Sequence, residues 1–361
     1  FVEKIKKAIV FPWNKEMHAL ARFSDMLSFS IHGFYDMKYN FNIGKSVGEA
    51  IQNEKDERIV QNIDLLDWND DFDTVICGHC EEIYQMTKRD FRMEIVEKCK
   101  KHGKRLYVLD KEVESKRTEN IDCYVPQILK TDYNGYRDGK LFQRLTPVVG
   151  VFGTSACQGK LTLQMQLKKE FVKMGYTVEN VFSEPTGYLL GGIGVFPYGY
   201  NENVQLSETE SITVLNEMVW EAARHNESDL VIVGGQSGTV PYAYHNIQQF
   251  NPYGYSFLTA TNPDVFVLCV NLHDPIEYIK RTIKYLEAFD DSPVIALALY
   301  PVVTEAATQI GLGYHKRMAS ERELEEASER LWKEFGIPVY ALNQEKEVER
   351  LCGDIVVYFS E

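Results

Sequence analysis

The chain has 361 residues, 44% of them apolar and 25% charged, which is enough for two domains with separate cores. Its formal charge of −14 argues against a nucleic-acid partner, because phosphate backbones are recognised by clustered Lys and Arg. No apolar run reaches the roughly 18–20 residues that span a bilayer, and seven scattered cysteines do not make a disulfide framework, so a cytoplasmic protein without a membrane partner is expected.

Short apolar runs alternate with helix-length amphipathic stretches, the pattern of α/β domains with mainly parallel sheets. The opening FVEKIKKAIVF is too short and too charged for a signal peptide and leads into a strand at 7–11. Further strands are expected at 73–78 and 105–110. A helix around 87–101 carries Phe91, Ile95 and Val96 at helical spacing and ends at Gly103. Residues 1–145 are thus expected to form a Rossmann-like domain, closed by a polar stretch at 114–120 and a less regular connector.

A P-loop NTPase-like domain is expected over 146–361. PVVGVFG (147–153) reads as a buried strand, and a helix follows over 160–174 with Leu163, Leu167 and Phe171 on one face, closed by Gly175. A strand is expected at 176–182. Ser207 with Glu210 forms a capping box that opens a helix to about 225. Strands at 229–235, 264–271 and 293–300 alternate with helices near 275–288 and 318–335, and strands near 337–341 and 355–359 finish the chain.

Between the first strand of this domain and its helix lies GTSACQGKLT (153–162). The usual phosphate loop has four residues between its glycines and a hydroxyl straight after the lysine. Here five residues separate Gly153 from Gly159, Leu161 follows Lys160, and the hydroxyl is Thr162. The physical requirements are nonetheless met: a buried strand, glycines that admit close approach, a helix N-terminus and a lysine charge. Gly153, Thr154, Ser155, Cys157, Gly159, Lys160, Leu161 and Thr162 are therefore the candidate cofactor-binding residues. A second Gly-Lys-Ser at 44–46 lacks the upstream glycine and reads as a turn.

Nucleotide hydrolysis also calls for a carboxylate at the end of a nearby strand to hold Mg²⁺. The strand VIVGGQSG (231–238) ends without one, which leaves Glu184 and Asp274 as substitutes. Glu184 and Thr162 are the candidate metal contacts. Three similar tetrapeptides, PYGY (197–200), PYAY (241–244) and PYGY (252–255), place tyrosines in loop-like contexts. A tyrosine face and hydroxyl suit a peptide or an adenine ring, and equally suit packing at a core edge. Tyr242, Tyr244 and Tyr253 are candidate substrate contacts, and His245 beside them is a candidate general base. CGHC (77–80) lacks the helix-opening context of a redox pair and the second ligand pair of a zinc site, and reads as small apolar packing.

The loop, followed in order by PTGYLLGGIGV (185–195), GGQSGTVPYAY (234–244), NPDVFVLC (262–269) and ALALYPVVTEAA, resembles the two-domain family that includes D-glutamate N-acetyltransferase. The resemblance covers 145–340 well and the first 140 residues loosely, and it extends to a branch found in clostridial peptide-maturation systems. It implies a Rossmann-like domain followed by a P-loop domain, and a substrate pocket including Thr186, Gly187, Gln236 and Ser237. Two departures bear on activity: Gly234 stands where the family carries Glu, and VFPYGYNENVQ replaces an Asp-containing helix start after Gly194.

The leading expectation is an enzyme that binds ATP with Mg²⁺ and modifies an amino-acid or peptide substrate, with Lys160, Gln236 and His245 as catalytic candidates. Acyl transfer from acetyl-CoA is the alternative, since coenzyme A also carries a diphosphate and an adenosine. A non-catalytic, nucleotide-gated partner of a biosynthetic complex is the third. A homo-oligomer is compatible with each.

Overall fold

A computed structural model describes residues 1–38, 40–53, 55–109, 120–129, 140–198, 204, 206–248, 250–306 and 314–360. In its first part the strands are β1 (Lys7–Phe11), β2 (Ser30–Asp36), β3 (Gln61–Asn62), β4 (Thr74–Cys77), β5 (Arg105–Val108) and β6 (Cys123–Tyr124). They form one sheet in the order β3-β2-β1-β4-β5-β6, with every neighbouring pair parallel. That order, reversing between β1 and β4, is the doubly wound Rossmann arrangement.

The helices of this sheet are α1 (His18–Arg22), α2 (Val47–Ile51), α3 (Glu81–Thr87) and α4 (Phe91–His102). Phe91, Ile95, Val96 and Cys99 form the buried face of α4, and Gly103 ends it in the left-handed region. The Gly-Lys-Ser at 44–46 is a turn: Ser46 Oγ accepts from Gly48 N–H at 3.0 Å and caps the five-residue α2. Cys77 and Cys80 are both buried in the apolar core of this sheet, with their sulfurs 3.9 Å apart.

The second set of strands is β7 (Val148–Gly153), β8 (Val178–Phe182), the two-residue β9 (Gly194–Val195), β10 (Leu230–Gly234), β11 (Val265–Asn271), β12 (Val294–Tyr300), β13 (Val302–Ala306), β14 (Tyr314–Met318) and β15 (Val339–Ala341). Its helices are α5 (Lys160–Lys173), α6 (Glu208–Arg224), α7 (Gly254–Thr261), α8 (Ile276–Asp290), α9 (Glu321–Phe335) and α10 (Glu345–Ser360). Six strands run parallel in the order β15-β12-β11-β7-β10-β8. β13 and β14 pair separately as an antiparallel hairpin. The expected capping box is present at Ser207 and Glu210, and a second one at Ser320 and Glu323 opens α9.

Tertiary contacts group the chain into two units, Phe1–Leu129 with Glu184–Gln205, and Lys130–Ser183 with Leu206–Glu361. Within the first unit, the excursion 184–205 is held by the Tyr107 hydroxyl donating to Pro185 O at 2.8 Å and by Tyr188 packing edge-on against Tyr124. Tyr107 is fully buried, so its hydroxyl needs such a partner.

Two sequence expectations change. Residues 355–359, expected as a strand from the run IVVYF, are the last turns of α10. Val348, Leu351, Cys352 and Ile355 are buried at helical spacing against Leu163, Leu167 and Phe171 of α5, while Val357 and Tyr358 face solvent. Tertiary packing of that stripe overrides the local β preference. The 252–255 tetrapeptide is not wholly loop, because Gly254 and Tyr255 open α7. Gly199 and Tyr200 of the 197–200 tetrapeptide and residues 114–119 lie outside the described residues.

Since Leu351 is fully buried in this cluster, Leu351→Ala is expected to destabilise the protein by about 2–5 kcal/mol, read by urea unfolding. A solvent-facing control, Val357→Ala, is expected to stay within about 0.5 kcal/mol.

Candidate functional site

β7 is an interior strand between β11 and β10, and all six of its residues are buried. The chain leaves it at Gly153 and enters α5 at Lys160, so 154–159 is a loop at the carboxyl end of a parallel sheet, where α/β folds hold ligands. Gly159 (φ +76) caps α5, and Cys157 (φ +58), exposed at the loop tip, is also left-handed. A Cβ at Gly153 would stand 2.6 Å from Gln158 Oε1 and 3.3 Å from Lys160 Nζ. A Cβ at Gly159 would meet the Tyr300 ring at 3.2 Å. Glycine at both positions keeps the floor of the loop open.

Thr154 is the most heavily bonded residue of the loop. Its N–H donates to Cys269 O at 3.1 Å, which ties the loop to β11. Its hydroxyl donates to Asp274 Oδ2 at 2.5 Å and accepts from Gln158 Nε2 at 2.6 Å. Its carbonyl lies 2.5 Å from the Tyr278 hydroxyl, whose single proton is shared with Val240 O at 3.0 Å. Ser155 N–H donates to Gln158 Oε1 at 2.8 Å, and Asn271 Nδ2 reaches Ser155 Oγ at 3.3 Å.

Asp274 also accepts from Asn271 N–H at 2.8 Å. Of the two acids considered from sequence, Asp274 therefore touches the loop directly. Glu184 stands at the N-cap position of the 3₁₀ turn Pro185–Tyr188, which carries Thr186 and Gly187, both buried, in the excursion grouped with the first unit.

Lys160 is buried at the first turn of α5, and its Nζ donates to Ser155 O at 2.7 Å and Ser237 O at 2.9 Å. Ser237 adopts a left-handed conformation (φ +54) in the turn after β10. Leu161 and Thr162 follow in the same first turn, half-buried. Helix geometry leaves the first-turn N–H groups of α5 without intrahelical acceptors, so they and the helix dipole face the loop. Glycine-opened backbone, helix N-terminus and a lysine converging on it are the donor set that a di- or triphosphate requires.

The turn 235–240 is stitched to the same place. Thr239 donates from both N–H and Oγ1 to Gly153 O, each at 2.9 Å. Gln236 Nε2 donates to Ser183 O at 3.1 Å, and Ser183 Oγ donates to Gly234 O at 2.9 Å. Tyr242 packs edge-on against Tyr278 with ring centroids 5.1 Å apart, and Arg281 Nη2 holds its carbonyl at 2.5 Å.

The other tyrosine-loop candidates lie further out. Tyr244 is fully exposed, His245 is exposed and Tyr253 is the N-cap of α7. Gln158, Thr239, Asn271 and Tyr278 were not anticipated. Only Gln158 had a local signal, its place inside the loop. A cavity of about 590 Å³ bordered by Phe142, Arg144, Asn216 and Asp264 lies at the amino end of β11. Its Arg144 and Asp264 are already paired at 2.9 Å, and the chemistry converges at the opposite strand ends.

A family model described as "Domain of unknown function (DUF1611_C) P-loop domain" matches residues 136–352, more than half of the chain. The chain belongs to this family. A solved DUF1611 family protein from Anabaena variabilis is similar over 93% of this chain and 95% of its own, at 14% identity and a TM-score of 0.66, and shares its fold. Partial likenesses of lower score extend to cobyrinic acid a,c-diamide synthase from Mycobacterium smegmatis with bound ADP and magnesium (11% identity, 60% of this chain and 96% of that one, TM-score 0.36). Another is the signal recognition particle receptor FtsY from Elizabethkingia anophelis in complex with GDP (15% identity, 60% and 62%, TM-score 0.36). Among curated protein sequences none matches.

Burial, and secondarily the Asp274 carboxylate, push the Tyr278 hydroxyl from 10.0 up to about 12. A group raised on folding contributes fully below its unfolded value and loses that contribution as pH rises through its folded value. Tyr278→Phe is therefore expected to cost about 1 kcal/mol at neutral pH and to remove part of the stability loss between pH 10 and about 12. Urea unfolding across that range checks both.

Proposed function

We propose that this P-loop protein is an enzyme that binds a nucleoside triphosphate with Mg²⁺ on residues 153–162 and uses it to modify an amino-acid or peptide substrate. The observation that carries the reading is the buried Lys160 ammonium at the N-terminus of α5. Its Nζ donates to two backbone carbonyls, from Ser155 and Ser237, on a loop that glycines keep open.

Phosphate oxygens are stronger acceptors for an ammonium than neutral carbonyls, so Lys160 exchanges one or both carbonyls for a phosphate. The first-turn amides of α5 orient the remaining phosphate oxygens. Thr162, two residues beyond Lys160 in the first turn of α5, is the hydroxyl offered to the metal, and Asp274 holds the loop in shape through Thr154. Bound Mg²⁺ supplies charge neutralisation of the phosphates.

On the substrate side, Ser237 follows from its contact with Lys160, and Tyr242 from its support by Tyr278. An amino-acid or peptide substrate matches this neutral, aromatic and hydroxyl-bearing edge. The family resemblance supports the same substrate class, including its peptide-maturation branch, and cytoplasmic location follows from that reading. His245, exposed and apart from the loop, is not given a catalytic part.

Calorimetric titration of the wild type and Lys160→Ala with ATP plus Mg²⁺, and separately with acetyl-CoA, tests the reading. ATP is expected to bind the wild type, and the variant to lose about 10- to 100-fold in affinity, the worth of a charge-assisted hydrogen bond. Binding of acetyl-CoA in place of ATP would move the assignment to acyl transfer. Equal ATP affinity in wild type and variant would remove the loop from it altogether.

A further inference from the structure

β10 lies beside the phosphate-loop strand and ends at Gly234, the position from which a neighbouring strand ordinarily offers a carboxylate to a nucleotide-bound metal. The space above Gly234 is filled from elsewhere. An ideal Cβ there would overlap the carboxamide of Gln164, with Nε2 at 2.0 Å and Oε1 at 2.7 Å. Gln164 sits on α5 one turn beyond Lys160, is 2% exposed, and its Nε2 lies 3.4 Å from Lys160 O.

Its Oε1 is buried and has no hydrogen-bond partner among the described residues. A buried acceptor without a donor is costly and uncommon, and it leaves Oε1 open to a donor such as water or a ligand. Asn180 on β8 strengthens this. It is fully buried, both amide atoms lack partners among the described residues, and it pairs in register with Ile232, two residues before Gly234. Strand geometry puts it diagonally next to Gly234 on the same face, roughly 8 Å away at the Cα atoms.

Resting on the nucleotide reading above, we propose that Gln164 occupies the site of the strand-end carboxylate, and that its uncharged Oε1 accepts from the hydration shell of the metal. Nucleotide binding is then only weakly coupled to Mg²⁺. The carboxylate form of this position attracts the metal by charge; the carboxamide supplies only a neutral hydrogen bond. A glycine at 234 is required by the same arrangement, because any side chain there displaces Gln164.

The test measures the affinity of ATP with Mg²⁺ and with EDTA, by calorimetry, for the wild type and Gln164→Glu, each checked by thermal unfolding. The ratio of the two affinities is expected to be small in the wild type and to rise about tenfold in Gln164→Glu, the difference between neutral and charged hydrogen bonding. The double variant Gly234→Asp with Gln164→Ala moves an acid to the strand end and empties the space it needs. It is expected to raise the ratio similarly and serves if the single variant does not fold. A folded variant that binds ATP with an unchanged ratio overturns the role of Gln164 and leaves the nucleotide reading standing. A wild type that binds no ATP in either condition overturns the nucleotide reading and this role with it.

Discussion

Thr154 is the residue through which the phosphate loop is made rigid. Buried almost completely, it has three polar groups to satisfy, and each is satisfied by a different part of the same unit: the amide by β11, the hydroxyl by Asp274 and Gln158, the carbonyl by Tyr278 of α8. A buried threonine missing any of these would carry an unpaired group at a cost of about 1–3 kcal/mol. The loop thus has its shape fixed by β11, Asp274, Gln158 and α8 before any ligand arrives, which lowers the ordering cost of binding. Rigidity at Thr154 also transmits outward, since Tyr278 contacts both Thr154 and Val240, and Thr239 returns to Gly153.

This arrangement explains why an irregular loop remains serviceable. The extra residue relative to the ordinary spacing is accommodated by Cys157 turning left-handed at the tip, while Gly159 takes the second left-handed position just before α5. A non-glycine residue with positive φ is tolerated where the surroundings over-determine it. Here Gln158, between the two, is tied to both Thr154 and Ser155. Lys160 then enters the helix at its first residue, where side chain, backbone amides and dipole act on the same small volume.

Much of this was legible in the sequence. The strand–loop–helix succession, the apolar stripe of α5 and the capping box at Ser207 are local patterns, and local patterns survive in one dimension. What stayed hidden depends on sequence-distant contacts. In the sequence Asp274 is only one of two stray acids; its bond to Thr154 spans 120 residues. Tyr278 carries no motif, and in one dimension Gly234 is merely a missing acid, because the Gln164 carboxamide beside it comes from 70 residues away. The terminal IVVYF run misled for the opposite reason. β-branched residues favour strands locally, but Leu351 and Ile355 continue a helical stripe whose burial against α5 outweighs that preference.

The charge of the molecule bears on what such a loop can hold. With a formal charge of −14, the long-range field of the protein opposes the approach of any anion, and the attraction must come from short range. Lys160 and the α5 N-terminus provide it within one helical turn, well inside the Debye length of about 8 Å at physiological salt. A second carboxylate at Gly234 would set another negative charge beside that cradle, useful only when a cation stands between it and the phosphates. With Gly234 and Gln164 the site keeps the hydrogen-bonding capacity of that position and sheds its charge. Asp274 meanwhile is committed to Thr154 and Asn271, so its charge is answered by donors rather than turned on the ligand. The net effect is a cradle whose affinity for phosphate is set by one lysine and one helix, and whose neighbours are arranged not to oppose them.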